Sequence, residues 1–325
     1  MSYAQFGSIE ALDYNTLVGG NPVTTSGKLN TVWATGGTEK GYGQTALANV
    51  VVGNTVIASD WANLVNITAN SATHQGSTIT AVTAPASGNT IAYVSAIPTN
   101  LTTIFTNRLN AATQGSTGAN SVAFGSTWTT VATFTHTVTF ANGDAARYFF
   151  NSGGQLKVTV SHANTTAGIN LLLNNLCSNV GTVVLSAPTS GTITIASTGF
   201  TGVTKIGGGD GANTTSLPNN GYYALTTSDA NVFTQTASTG PAPYSATFIR
   251  VQVKSNGTVG SNLDAGNVIT ITTIWDEVPD GLTVGTGSTT AVTIVPPEVT
   301  NLTNSWGIIQ NPAGPGNIAI TGSVV

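Results

Sequence analysis

From position 131 the chain alternates with a period of two. Phe134, His136, Val138 and Phe140 fall on one side of an extended backbone, and Val131, Thr133, Thr135, Thr137 and Thr139 on the other. Side chains along a strand point to opposite faces in turn, so this stretch reads as a strand with one face in a core and one in water. The pattern returns at Leu156, Val158 and Val160, which alternate with Lys157 and Thr159, then at Ile249, Val251 and Val253 within 248–254, and again over 268–275. Shorter strands are expected at 182–185, 192–196 and 222–225, separated by Gly, Pro and Ser clusters that include 207–211. Strands with one apolar face need a second layer to cover it. The expected fold class is mainly β, an antiparallel β-sandwich or jelly-roll-like domain.

Composition agrees with that reading. Thr, Ser and Asn make up roughly a third of the chain, and charged residues are far below the usual quarter or so, with eight Lys and Arg against twelve Asp and Glu. Threonine's branched β-carbon suits a pleated surface, while the long helix formers are scarce. Mean hydropathy of +0.17, five Trp and a net charge of only −4 argue against disorder. With so few basic residues and a pI near 5.1 there is no cationic stripe to release counterions from a phosphate backbone, so nucleic acid is not an expected partner. No apolar run reaches bilayer-spanning length, so membrane insertion is not expected either. The first residues lack the basic start and apolar core of a secretory signal, and the expectation is a protein assembled inside a cell.

Three units are expected: an N-terminal unit of short helices over 1–118, a β-sandwich with one inserted helix over 119–280, and an extended C-terminal arm over 281–325. Near the start, 11–18 and 58–65 share the pattern Ala-x-Asp-aromatic-x-x-Leu-Val. In the second copy Trp61, Leu64, Val65 and Thr68 fall on one face, which predicts a helix over 60–73; the first copy runs into Gly19-Gly20 and predicts one or two docked turns. Pro98 at a first-turn position, with Leu101, Ile104, Phe105, Leu109 and Ala112 on one face, predicts a helix over 98–112. Gly115 to Gly118 read as the turn that closes this unit. The inserted helix, about 166–180 and clearest over 169–180, is apolar nearly all round and should pack on a sheet. After Gly281 the strand-like stretches 291–295 and 318–320, with anchors such as Ile294, Trp306, Ile308 and Ile309, predict an arm that docks by strand addition on a neighbour or on its own sandwich.

Residues that could carry chemistry are few. His74, His136 and His162 are far apart and lack the close spacing of metal ligands; His136 sits on the apolar face of its strand, and His74 closes a helix where an imidazole can meet free carbonyls. Asp276, Glu277 and Asp280 form the one acidic cluster, at a strand end entering a Pro-Asp-Gly turn where carboxylates cap the backbone. The glycines at 207–211 lack the Lys-Ser/Thr pair and the helix of a phosphate loop. Asp144, Asp210 and Asp264 lie in Gly/Asn loops without the dense acidic pattern of a calcium loop. Cys177, the single cysteine, lies in an apolar run and reads as a small core hydrophobe. Five Trp and eight Tyr could stack on sugars, but they occupy positions a core would also use. The expectation is a protein with no catalytic, cofactor-binding or metal-binding residues, no cofactor and no enzymatic activity.

The block from Phe134 to Leu156, centred on Tyr148-Phe149-Phe150-Asn151-Ser152-Gly153-Gly154, resembles a segment recurring in virion structural proteins of tailed bacteriophages, especially cyanophage-like ones. The stretch Ile57 to Val65, continuing to His74-Gln75-Gly76, is similar to a second segment of such proteins, where a short helix ends in His-Gln. Physically the first motif reads as a strand pair anchored by Tyr148, Phe149 and Phe150, with Asn151 to Gly154 as its turn. The resemblance implies a tail, baseplate, neck or fibre component located in the virion and assembled in the host cytoplasm, with other virion proteins as partners. By analogy it forms a homo-oligomer, a trimer as first choice. The alternatives are a capsid decoration protein, or a fibre module that binds a host-surface glycan or receptor.

Overall fold

The computed structural model describes residues 10–19, 28–89, 91, 95–210, 214–218, 221–237, 244–257, 259, 266–278, 281–306 and 319–324. Helices α1 (Ala11–Val18), α2 (Leu29–Trp33), α3 (Ala58–Gln75) and α4 (Ala96–Thr106) come first and bury Tyr14, Leu17, Leu29, Trp61, Leu64 and Leu101 among themselves. The sequence echo is a structural one. Asp13 accepts the Glu10 N–H at 3.2 Å and Asp60 accepts the Ile57 N–H at 3.1 Å, so each copy turns an aspartate back on its own helix start. The aromatic residues that follow, Tyr14 and Trp61, meet with ring centroids 6.4 Å apart.

α3 runs slightly beyond the expected 60–73 and stops at Gly76, whose φ of +69° is the left-handed conformation that glycine adopts without penalty. α4 ends at Thr106, before the expected 112, because tertiary partners take the backbone that follows. The Ala111 N–H bonds the Thr194 carbonyl at 3.0 Å and the Ala112 N–H bonds the His74 carbonyl at 2.7 Å.

The rest of the chain builds an antiparallel β-sandwich. One sheet holds β1 (Gly118–Phe124), β3 (Gln155–His162), β4 (Thr182–Leu185), β7 (Val203–Ile206) and β12 (Ser288–Val295) in the order β1-β12-β3-β4-β7. The other holds β2 (Val131–Thr139), β8 (Thr214–Ser216), β9 (Ala230–Thr236), β10 (Phe248–Ser255), β11 (Val268–Asp276) and β13 (Ala319–Val324) in the order β13-β2-β11-β10-β9-β8. β5 (Ile193–Ile195) and β6 (Thr198–Phe200) form a small hairpin. The period-two pattern sets the register: Phe134, His136 and Val138 lie opposite Thr273, Ile271 and Ile269, so the inward rows of β2 and β11 coincide and all six side chains are buried. α6 (Ile169–Val180) matches its expected bounds and buries Ile169, Leu173, Leu176 and Cys177.

The chain after residue 281 contributes to both sheets. β12 lies inside the first, between β1 and β3, and β13 adds to the free side of β2. Gly118, expected in a closing turn, instead begins β1 opposite Ile294.

Two local readings are corrected. Gly143–Asn151, expected as a turn followed by a strand, is a helix, α5. The Asn142 side chain accepts the Ala145 N–H at 2.8 Å and caps it, Asp144 lies in the first turn, and Ala145, Ala146, Phe149 and Phe150 make one buried face. Asn-Gly-Asp is as good a helix start as it is a turn, and the ring cluster decides between them: Phe150 stacks on Tyr222 at 4.2 Å and meets Phe149 edge-on at 5.1 Å. The expected turn after the aromatic residues is present, with Gly153 at φ +89°. Residues Tyr222–Ala224, expected as a strand, form a 3-10 turn, because the Tyr222 N–H is taken by the Ser186 carbonyl at 2.9 Å while its ring stacks on Phe150.

The cap is testable. Asn142→Ala is expected to lower stability by about 1 kcal/mol and Asn142→Asp to leave it nearly unchanged, read as urea midpoints. Equal loss in both variants would place Asn142 outside a helix cap.

Candidate functional site

Among the described residues, a dense set of long-range polar contacts surrounds the loop 34–44, which follows α2. Its last residues fold back on that helix: the N–H groups of Tyr42, Gly43 and Gln44 bond the carbonyls of Val32, Ala34 and Trp33 at 2.9–3.0 Å. Several of its backbone carbonyls take side-chain partners from elsewhere in the fold.

α5 supplies them. Arg147, with no exposed surface, donates through Nη1 to the carbonyls of Thr35 (2.7 Å) and Lys40 (2.8 Å), and through Nε and Nη2 to Asp144 Oδ1 (3.1 and 2.8 Å). Its guanidinium lies 4.7 Å from the centroid of the Tyr148 ring. One helical turn on, Asn151 Nδ2 faces the carbonyls of Thr38, Lys40 and Gly41 at 3.0–3.3 Å. The Tyr223 hydroxyl lies 2.7 Å from Asn151 Oδ1 and 2.5 Å from the Thr38 carbonyl. Gly43 lies so close to Tyr148 that a Cβ would fall 2.3 Å from the ring, so the pairing admits no side chain there.

On its other side the loop meets α3 and the segment after β12. The Tyr42 hydroxyl accepts from Gln75 Nε2 at 2.7 Å and donates to the Arg108 carbonyl at 2.8 Å, and its ring meets His74 edge-on at 5.1 Å. Burial pushes the Tyr42 hydroxyl far above its ordinary pKa, so it stays a neutral donor. His74 Nδ1 contacts Glu298 Oε1 at 3.1 Å across 224 positions of sequence. Gln44 makes two bonds of 2.7 Å to the backbone of Thr303, accepting its N–H and donating to its carbonyl, and Ser305 Oγ donates to the Tyr42 carbonyl at 2.6 Å. Trp306 follows and is buried in the sandwich core. The expectation that His74 would meet free helix carbonyls is corrected here, since its partner is a carboxylate.

Burial alone would raise the Glu298 carboxyl. The bonds from His74, the Thr300 backbone and the Asn301 side chain outweigh it and hold the pKa at about 2.

The other singled-out residues do not converge on this site or on each other. His136 is buried between β11 and β13, and burial lowers its pKa to about 4 against a raising contribution from the Thr290 backbone. His162 contacts Ser288 Oγ and Asn170 Oδ1, both at 3.1 Å, and burial lowers its pKa as well. Glu277 is buried and accepts the Leu282 N–H at 2.5 Å, the turn-capping role read from sequence; Asp276 ends β11, and Asp280 lies outside the described residues. Asp144 is held by Arg147 and Asp210 by Lys205 and Thr215, while Asp264 lies outside the described residues. Within 207–211, Gly207 and Gly208 take positive φ in the chain that follows β7. Burial pushes the Cys177 thiol up, away from reactive thiolate. Four of the five tryptophans, Trp61, Trp128, Trp275 and Trp306, are core residues. Among the described residues no three His, Cys, Asp or Glu side chains gather as a metal-binding group, and no helix is long and apolar enough to cross a membrane. An open, mainly apolar groove of about 400 Å³ lies between α3, residues 77–82 and α4.

Sequence reasoning did not pick out Arg147, Asn151, Tyr42, Gln44 or Glu298 as partners. One signal was present: Arg147 stands beside three aromatic residues in a chain with eight basic residues, and a cation so placed needs a buried acceptor.

No protein-family model matches the sequence, and comparisons with curated proteins and with solved structures find no match to this chain.

Two outcomes follow. Arg147→Met removes the guanidinium bonds to Asp144 and to the carbonyls of Thr35 and Lys40, and is expected to lower stability by about 3–5 kcal/mol in chemical denaturation; a loss of less than about 1 kcal/mol would mean the loop does not depend on the guanidinium. Acid acts in two stages. The unfolded chain protonates His136 near pH 6.5 and the folded chain near 4, so stability is full above 6.5 and falls by about 3 kcal/mol as pH drops to 4. Glu298, with its folded pKa below the ordinary 4.5, adds stability present above 4.5 and lost as pH falls towards 2. Urea midpoints from pH 8 to 2 should show both limbs, with His136→Leu flattening the upper and Glu298→Gln the lower.

Proposed function

We propose that this chain is a structural component of a tailed-bacteriophage particle, in the tail, baseplate, neck or fibre, and that it works through assembly contacts without catalysing a reaction. The observation that supports this reading is the convergence at the loop 34–44. The two segments that resemble virion proteins are far apart in sequence, yet His74 and Gln75 of one and Arg147 and Asn151 of the other act on this same loop, directly or through Tyr42. Their polar side chains tie a helical unit to a sandwich. A building block needs that property, because force or symmetry imposed on one end must reach the other without slip.

The charge-poor surface fits the same role. Contacts made by hydroxyls and amides keep their strength as salt varies, since there is little charge to screen. Capsid decoration and host-glycan binding are the competing readings.

Solution mass by light scattering, combined with a pull-down against the other proteins of the particle, separates them. The expected result is a stable species near three times the 32.8 kDa of one chain that captures tail or neck proteins. A monomer that captures capsid protein alone would replace the proposal with decoration, and selective binding on a glycan array would replace it with recognition.

A further inference from the structure

After α3 the chain turns at Gly76 and continues through residues 77–84 with no helix, turn or bend. Ile79, Val82 and Ala84 pack against the helical core, while Thr78, Thr80, Ala81 and Thr83 are exposed. Side chains hold this run in place. Asn100 of α4 accepts the Thr80 N–H at 3.0 Å and donates to the Thr80 carbonyl at 2.8 Å, and Ser77 Oγ accepts from Asn107 at 2.9 Å. A residue whose N–H and C=O reach one side together has the backbone of a strand, and its neighbours turn theirs to the other side.

That other side is open. Among the described residues, the backbone N–H and C=O groups of Ile79, Ala81 and Thr83 have no hydrogen-bond partner. Strand edges are commonly guarded by charged side chains or proline. Residues 77–84 contain neither, and no Asp, Glu, Lys or Arg occurs from Trp61 to Asn107.

The groove of about 400 Å³ adjoins this run. Val65, Ala69 and Ala72 of α3, Ile97 of α4, and Ile79 and Val82 of the run itself line it, with no charged side chain among the lining residues. A row of free donors and acceptors is matched by another extended backbone, and an apolar groove beside it takes a side chain standing off that backbone. The fold already holds the edge in place, so a partner strand meets it with little ordering cost on this side. Every described strand is already paired within its own fold, so the entering segment is assigned to a different protein.

We infer that residues 77–84 form a strand-acceptor edge for a partner protein: an extended, uncharged segment pairs its backbone with Ile79, Ala81 and Thr83 and sets an apolar side chain in the groove beside α3. This goes beyond the assembly reading and rests on the helical unit alone.

A blocked hexapeptide of alternating valine and threonine is the probe, titrated into the full chain by calorimetry and followed by amide NMR. Binding is expected to slow solvent exchange at the N–H groups of Ile79, Ala81 and Thr83. Ala81→Pro removes one of these donors and no bond of the fold, and the φ of proline suits an extended edge. It is expected to abolish binding with the urea midpoint unchanged. Ala69→Lys puts an ammonium at the groove and is expected to weaken binding about tenfold. A fully N-methylated copy of the peptide, added to the unaltered chain, should not bind, which tests the backbone pairing without any change to the protein. No binding of the parent peptide at millimolar concentration overturns the inference. Binding that survives both Ala81→Pro and N-methylation also overturns it, since the groove then takes apolar side chains without a strand. A dimer of the full chain that Ala81→Pro dissolves puts a second copy on the edge and overturns the assignment to a different protein. The pull-down of particle proteins is read separately on the unmodified chain, so failure of this edge and failure of the assembly reading are distinct results.

Discussion

A guanidinium with no exposed surface stands at the centre of this structure. Arg147 joins four partners that no local segment could bring together: Asp144 on its own helix, the carbonyls of Thr35 and Lys40, and the face of Tyr148. Burying a cation is costly unless its donors find acceptors, and here they are one carboxylate and two backbone carbonyls of a tight loop. With the loop fixed, Tyr42 and Gln44 are placed, and through them the end of α3 and the backbone at Thr303. The helical unit, α5 and the segment after β12 are thus tied together through eleven residues of loop.

What could be read from the sequence follows from the range of the interactions. The strands β2, β10 and β11 were legible because a period of two is written within a few residues, and α3 and α6 because their apolar faces repeat locally. α5 was misread because Asn142-Gly143-Asp144 serves a turn or a helix start equally well, and the deciding partner, Tyr222, lies some seventy positions further on. The hub was invisible for the same reason. Glu298 and His74 are 224 positions apart, and neither has a neighbour that announces the other. The place of β12 was hidden too: its own alternation marks a strand, but nothing nearby says that it lies between β1 and β3.

The scarcity of charge shapes the interior as much as the surface. Besides a few long-range ion-pair contacts such as His74 with Glu298, distant segments are joined by amide side chains that act as substitute backbone. Gln44 pairs with Thr303, Asn100 with both backbone groups of Thr80, and Asn30 with Leu47 in the same two-bond manner. A carboxamide presents an N–H donor and a C=O acceptor side by side, so it pairs with both groups of a peptide unit without introducing charge, and its second N–H stays available, as in the bond from Asn30 to the Gly19 carbonyl. Outside, threonine rows such as Thr135 opposite Thr272 and Thr137 opposite Thr270 cover the sheet with hydroxyls in place of lysine and glutamate.

The position of β12 has a consequence for synthesis. β1 is hydrogen-bonded to β12 alone within its sheet, and Val122 faces Thr290, 168 positions later. At a translation rate of roughly 5–20 residues per second, β1 therefore waits on the order of ten to thirty seconds after it is made before its pairing strand exists. In that interval its first four residues, Gly118-Ala119-Asn120-Ser121, carry no large apolar side chain and make a poor template for another nascent chain on the same messenger, whereas Val122 and Phe124 at its far end wait uncovered.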